Sequence, residues 1–222
     1  MAYNIVIDAG HGGSDPGAVN KGRQEKDDDL RLAMAVGDIL SQNGVNVTYT
    51  RTADVYQTPF EKAQIANDAD ADFFISFHRN SSPRDNQYSG VETLVYDKSG
   101  EKLNMAENIN GALGEIGFRN LGVQARPGLV VLRRTKMPAL LIETGFINTD
   151  KDNELFDAQF EEMAQAIAYA ILGTLNENQT NAESSEEEPL YRVQVGAFKQ
   201  LSNAVKMEQA LRRAGYSTWI TQ

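Results

Sequence analysis

Cysteine is absent from this chain of 222 residues, so it can form neither a disulfide framework nor a thiolate metal site, and any metal must be held by His, Asp or Glu. Histidine is nearly absent as well: His11 and His78 are the only two. Basic residues are in deficit, with 21 Lys and Arg against 31 Asp and Glu, a formal charge of −10. Such a chain has no basic face for phosphates, which excludes nucleic acid as an expected partner and disfavours an anionic membrane. No run of 18 apolar residues occurs, and the N-terminus enters an apolar strand without the flanks of a secretory leader. The expectation is therefore a soluble chain without a signal peptide, made in the cytoplasm. Phosphate-loop, GxGxxG, HExxH and GxSxG patterns are also missing.

What is present alternates in texture. Ile5–Ile7 is a β-branched run that stops in Gly10-His11-Gly12-Gly13, which reads as a buried strand emptying into a tight loop. A helix follows with Leu30, Ala33, Met34, Gly37 and Leu40 on one face, and Glu25 with Asp27–Asp29 stands at its start as candidate capping acids. Val45–Thr50 alternates as a strand. Thr58-Pro59-Phe60-Glu61 is a capping box. Phe73–His78 is a nearly continuous apolar run, read as a central strand buried on both faces.

Further strands are expected at Val91–Tyr96, Leu129–Leu132 and Ala139–Glu143, with helices at 101–116 and from Phe160 to Leu175. This alternation predicts an α/β fold with a single mixed, largely parallel twisted sheet flanked by helices. Residues 176–189 carry several glutamates and no large apolar side chain, the composition of a disordered acidic linker. From Leu190 to Gln222 a short β-α-β piece is expected, with strands at Tyr191–Val195 and Tyr216–Ile220. It is too short to bury a core by itself.

Both histidines are placed by this reading at the ends of buried strands, where an open α/β sheet forms its ligand crevice, and Glu143 ends a third strand on the same logic. Glu143 could instead pair with Arg133 or Arg134. Two histidines and a carboxylate that leave one position open form a catalytic zinc arrangement, with the remaining carboxylate as base. Spacing alone does not tell which acid is ligand and which is base.

The segments Ile7-Asp8-Ala9-Gly10-His11-Gly12-Gly13-Ser14-Asp15-Pro16-Gly17, Glu25-Lys26, Ser76-Phe77-His78-Arg79-Asn80 and Pro138–Asn148 closely resemble the zinc-dependent N-acetylmuramoyl-L-alanine amidases of the "amidase 3" family. The resemblance implies that His11, Glu25 and His78 hold Zn2+ and that Glu143 is the catalytic acid/base. It also implies that the substrate is peptidoglycan, cut between N-acetylmuramic acid and L-alanine. Arg79 departs from the small residue usual after the second histidine. A guanidinium there would raise the charge beside the metal, pair with a substrate carboxylate, or point into solvent. Asn80 is a candidate substrate contact.

Residues 190–222 resemble the first half of a SPOR domain, a glycan-binding module of bacterial division and sporulation proteins. The implied organisation is a catalytic domain at 1–175, a linker at 176–189 and a partial module at 190–222. A monomer is expected, acting on the wall after release from a spore mother cell or as a phage lysin. The rival readings are a non-catalytic wall-binding protein and a zinc carboxypeptidase on wall peptides.

Overall fold

The structure is a computed structural model that describes residues 2–183, 194–216 and 218–220, with side chains left out of the description at 177–183. In chain order its elements are β1 (Asn4–Ala9), β2 (Val19–Asn20), β3 (Arg23–Gln24), α1 (Glu25–Gln42), β4 (Asn46–Tyr49), α2 (Pro59–Asp68) and β5 (Phe73–Asn80). There follow β6 (Val91–Val95), α3 (Gly100–Glu115), β7 (Asn120–Ala125), α4 (Val130–Arg134), β8 (Ala139–Phe146), α5 (Asp150–Ala158), α6 (Phe160–Glu183) and α7 (Leu201–Arg213). The six-stranded sheet runs β4-β1-β5-β8-β6-β7. All neighbours are parallel except β6 and β8, while β2 and β3 form a separate small hairpin. The expected mixed, largely parallel sheet is therefore what the chain forms.

Alternation along the strands builds two cores. Ile5, Ile7, Phe73, Ile75 and Phe77 face α1, α3 and α6, while Val6 and Phe74 face the other side, against Ala66 of α2 and Val131 and Leu132 of α4. Burial on both faces explains why β1 and β5 read as continuous apolar runs rather than alternating ones. The capping box at Thr58 is formed, with Thr58 Oγ1 accepting from Glu61 N at 3.2 Å and Glu61 Oε2 accepting from Thr58 N at 2.7 Å.

Beneath the glycine loop lies a buried ion pair that the pattern did not announce. Asp8 Oδ1 accepts from Lys62 Nζ at 2.7 Å and from Thr50 Oγ1 at 2.6 Å, and Ser76 Oγ donates to Asp8 Oδ2 at 2.6 Å. Burial opposes ionisation of Asp8, but Lys62 and the two hydroxyls outweigh it and hold its pKa below the usual carboxylate range.

Several local expectations need correction. Leu129–Leu132 is not a strand: Leu129 caps the helix α4, in which Thr135 Oγ1 bonds back to Val131 O at 2.8 Å. A four-residue apolar run fits a buried strand and one buried helical turn equally well. The last helix of the domain does not stop at Leu175 but continues as α6 to Glu183, so the first half of the expected linker is helical. Residues 184–189 of that linker, and 191–193 of the expected strand after it, lie outside the described residues. In the C-terminal piece α7 forms, while the described residues flanking it, 194–200, 216 and 218–220, carry no strand ladder.

Candidate metal centre and active site

β1, β5 and β8 are parallel neighbours, so their C-terminal ends open on the same side of the sheet. His11 follows β1 after one residue, Gly10. It sits at φ 54°, a left-handed conformation that costs a non-glycine residue about 1–3 kcal/mol. Tight contacts hold it there: Gly10 N donates to Phe77 O at 3.0 Å, and Gly12 and Asp15 exchange backbone hydrogen bonds at 3.0 and 3.1 Å. Glycine at position 10 is needed for space, since a Cβ there would lie 2.5 Å from His78 Cε1 and 2.6 Å from Asp29 Oδ2.

A second layer of polar groups pins the loop. Arg51, just after β4, donates from Nε to Ala9 O at 3.1 Å, and its Nη2 reaches both Gly10 O at 2.6 Å and Lys26 O at 2.8 Å. One guanidinium thus ties the residue before His11 to the residue after Glu25. Asp54 adds a bond from Gly13 N at 2.7 Å and a pair with Lys26 Nζ at 2.7 Å.

Glu25 opens α1, yet its carboxylate does not act as a helix cap. Its Oε1 lies 3.0 Å from His11 Nε2 and 2.8 Å from His78 Nδ1, and also accepts from Arg79 N at 3.1 Å. Its Oε2 accepts from Ala18 N at 2.8 Å. The two imidazoles stand edge to face with centroids 4.9 Å apart. Burial works against the charge on Glu25, but the two histidines outweigh it and hold its pKa far below the usual range. His11 is correspondingly pushed up to about 9: burial lowers it, and Glu25 and Asp15 more than reverse that. The other ring nitrogen, His11 Nδ1, faces Asp15 Oδ2 at 2.8 Å. With a metal ion bound, that is the carboxylate–histidine arrangement that would hold the proton on Nδ1 and turn Nε2 toward the ion.

Glu143 lies opposite His78 in the β5–β8 register and opposite Glu92 across β6. Both His78 and Glu143 sit inside their strands rather than at the last residue, and a register irregularity between His78 and Asn80 marks the place. Neither Arg133 nor Arg134 pairs with Glu143, whose Oε2 is buried without a hydrogen-bond partner. Burial, reinforced by Glu25 and Glu92 and opposed by His78, pushes Glu143 up to about 7.

The groups fit a divalent cation. His11, Glu25, His78 and Asp29 each offer a ligand atom within 4.8 Å of the others, a nitrogen and oxygen set of the kind zinc takes. The carboxylate oxygens of Asp29, in this cluster, and Oε2 of Glu143, which lies opposite His78, are buried without a hydrogen-bond partner, and a cation with its reactants would satisfy them.

Arg79 corrects an expectation. It neither faces the metal cluster nor reaches solvent; its side chain is fully buried on the far side of β5. Nη1 pairs with Asp28 at 2.5 Å, Nη2 donates to Asn153 Oδ1 at 2.8 Å, and the guanidinium lies 4.3 Å from the centroid of the Phe156 ring. Arg23 shares Asp28 at 2.6 Å. Only the Arg79 backbone N–H touches the site. Arg79→Met is accordingly expected to cost about 3 kcal/mol, the lower end for breaking a buried pair because Arg23 still neutralises Asp28. Denaturant melts should show that loss, with kcat/KM changed by no more than a few-fold below the melting range.

Asn80 has its amide engaged within the chain: Nδ2 donates to Glu92 Oε1 at 2.8 Å, and Oδ1 accepts from Ser81 N at 2.8 Å. It braces the carboxylate beside Glu143. The sequence reading assigned Asp15 no role and Asp29 only that of a helix-capping acid. Both carried a signal, since Asp15 stands four residues after His11, and Asp29 stands four after Glu25 on the same helix face.

The family described as N-acetylmuramoyl-L-alanine amidase matches residues 5–173, and the SPOR domain family matches residues 159–222. Residues 159–173 fall in both matches, and in the structure Phe160, Met163, Ile167 and Ile171 belong to the core under α1 and α3. The sporulation-specific N-acetylmuramoyl-L-alanine amidase of Bacillus subtilis (strain 168) is 34% identical over 220 residues, 96% of this chain and 82% of that protein. The endolysin of Bacillus phage SPP1 is 34% identical over 183 residues, 79% of this chain and 67% of that protein. Among solved structures, an N-acetylmuramoyl-L-alanine amidase from Clostridium difficile 630 superposes with a TM-score of 0.74 at 32% identity, covering 79% of this chain and 97% of that one.

Proposed function

This chain belongs to the N-acetylmuramoyl-L-alanine amidase family, and from that premise we propose that it is a zinc-dependent hydrolase. Its target is the amide between the lactyl group of N-acetylmuramic acid and the L-alanine of the stem peptide. The observation that carries the reading is the convergence of His11 Nε2 and His78 Nδ1 on one oxygen of Glu25, beside a Glu143 carboxylate with an unpartnered oxygen. His11, Glu25 and His78 are the residues that would hold the ion. Zinc bound there would supply Lewis acidity, lowering the pKa of water toward 7 and polarising the scissile carbonyl.

The chain's own groups do the rest. Asp15 orients His11, and the Ala18 and Arg79 backbone N–H groups orient Glu25. Glu143, with a pKa near 7, is matched to taking a proton from water and returning it to the leaving alanine nitrogen at neutral pH. With a cation held by His11, Glu25 and His78 the Glu143 pKa would be drawn down, so the acid limb of the kcat/KM profile belongs at or below pH 7.

Similarity to a sporulation-specific amidase supports a part in wall breakdown during sporulation. We further infer that the enzyme is made in the cytoplasm and meets the wall on release. The SPOR match supports glycan binding by the C-terminal part. One chain supplies every group named in the site, which fits the expected monomeric enzyme. Mass spectrometry of digested peptidoglycan tests the bond: stem peptides with a free N-terminal L-alanine are expected. Trimmed stem peptides still attached to the glycan would indicate a carboxypeptidase, and unchanged sacculi a binding protein.

A further inference from the structure

Asp29 is the one member of the metal-facing cluster to which neither the fold nor the proposed reaction has given a task. It lies on α1 four residues after Glu25, so both carboxylates project from the same face of the helix. Its exposure is 1%, and neither of its oxygens has a hydrogen-bond partner. Two cations act on it from a distance, but neither donates to it: Arg51 hydrogen-bonds the carbonyls of Ala9, Gly10 and Lys26, and Arg79 is held by Asp28 and Asn153. A fully buried carboxylate with no donor is among the most unfavourable side-chain placements in a folded protein, and its persistence calls for a counter-charge.

The place where that carboxylate points is specific. An oxygen of Asp29 lies within 4.8 Å of the ligand atoms of His11, Glu25 and His78, and Gly10 leaves open the volume in which a Cβ would collide with both Asp29 Oδ2 and His78. We propose that Asp29 is a fourth protein ligand of the metal ion, so that two histidines and two carboxylates hold it. This rests on the reading of His11, Glu25 and His78 as the metal site. Two carboxylates match the charge of a divalent ion, which one carboxylate and two neutral imidazoles leave half compensated. Zinc accepts five-coordination in hydrolases, so a fourth protein ligand does not close the site to reactants.

The test is zinc affinity of the full chain, measured by competition with a chromogenic chelator, for wild type, Asp29→Asn, Asp29→Ser and Glu25→Ala. Thermal unfolding is followed with and without zinc. Both Asp29 variants are expected to bind zinc about 10- to 100-fold more weakly. Without metal their melting temperature should rise above wild type, because the orphaned carboxylate is gone, and with saturating zinc the order should reverse. A merely structural Asp29 would shift melting by the same amount with and without zinc. Wild-type zinc affinity in both Asp29 variants, with zinc lost in Glu25→Ala, overturns the proposal and leaves the three-ligand reading standing. Wild-type affinity in Glu25→Ala as well would overturn both.

Discussion

Glu143→Gln is expected to lower kcat/KM on peptidoglycan by about 10²- to 10⁴-fold, the usual contribution of a positioned proton-transfer group, while zinc content and melting temperature stay near wild type. In barrier terms this is about 3–5 kcal/mol. Glutamine keeps the volume and the β8 backbone but cannot accept and return a proton. Burial raises Glu143 toward neutrality, and Glu92, directly across β6, adds to the effect. The position therefore has no evident structural use: Oε2 has no partner, and among the described residues no arginine forms an ion pair with the group. Full activity in Glu143→Gln would remove Glu143 from the mechanism, and loss of zinc in the same variant would make it a ligand instead.

Glu25→Ala has the larger structural reach. The Glu25 carboxylate binds both imidazoles and the backbone N–H groups of Ala18 and Arg79, so its removal takes away the proposed metal ligand and leaves buried donors unsatisfied. The expected result is loss of tightly bound zinc, activity at background, and a stability loss of about 1–3 kcal/mol in the metal-free protein. Metal analysis of the purified variant checks the first and denaturant unfolding the last. Retention of a full equivalent of zinc would show that the histidines are held by another acid.

How far the sequence carries depends on the kind of information each residue holds. β1 and β5 were legible because burial on both faces leaves uninterrupted apolar runs, and His11, His78 and Glu143 were legible because they interrupt or end such runs. Glu25 was ambiguous, since an acid in a first helical turn has a sufficient local explanation in the helix dipole. Only the family resemblance chose the metal role, and the structure then brought its carboxylate within 3.0 Å of both histidines.

Arg79 shows the opposite limit. Its neighbour His78 faces the site, but adjacent residues of a strand point to opposite faces, and the Asp28, Asn153 and Phe156 that receive the guanidinium come from distant positions. The α4 turn, the β2–β3 hairpin and the single-sided strand β7 were too short or too mixed in polarity to leave a period. Asp8–Lys62 was hidden for a related reason: a lysine in an amphipathic helix reads as surface until a buried carboxylate appears opposite it.

The central claim is that one ion held by His11, Glu25 and His78 makes this fold an amidase. Its most direct test is to strip the purified enzyme with a chelator and return zinc in sub-stoichiometric steps while counting new N-terminal alanines released from peptidoglycan. The stripped enzyme should be inactive and still folded, with activity rising linearly and breaking at one equivalent of zinc per chain. Full activity in the stripped enzyme, with no response to added zinc, would contradict the account.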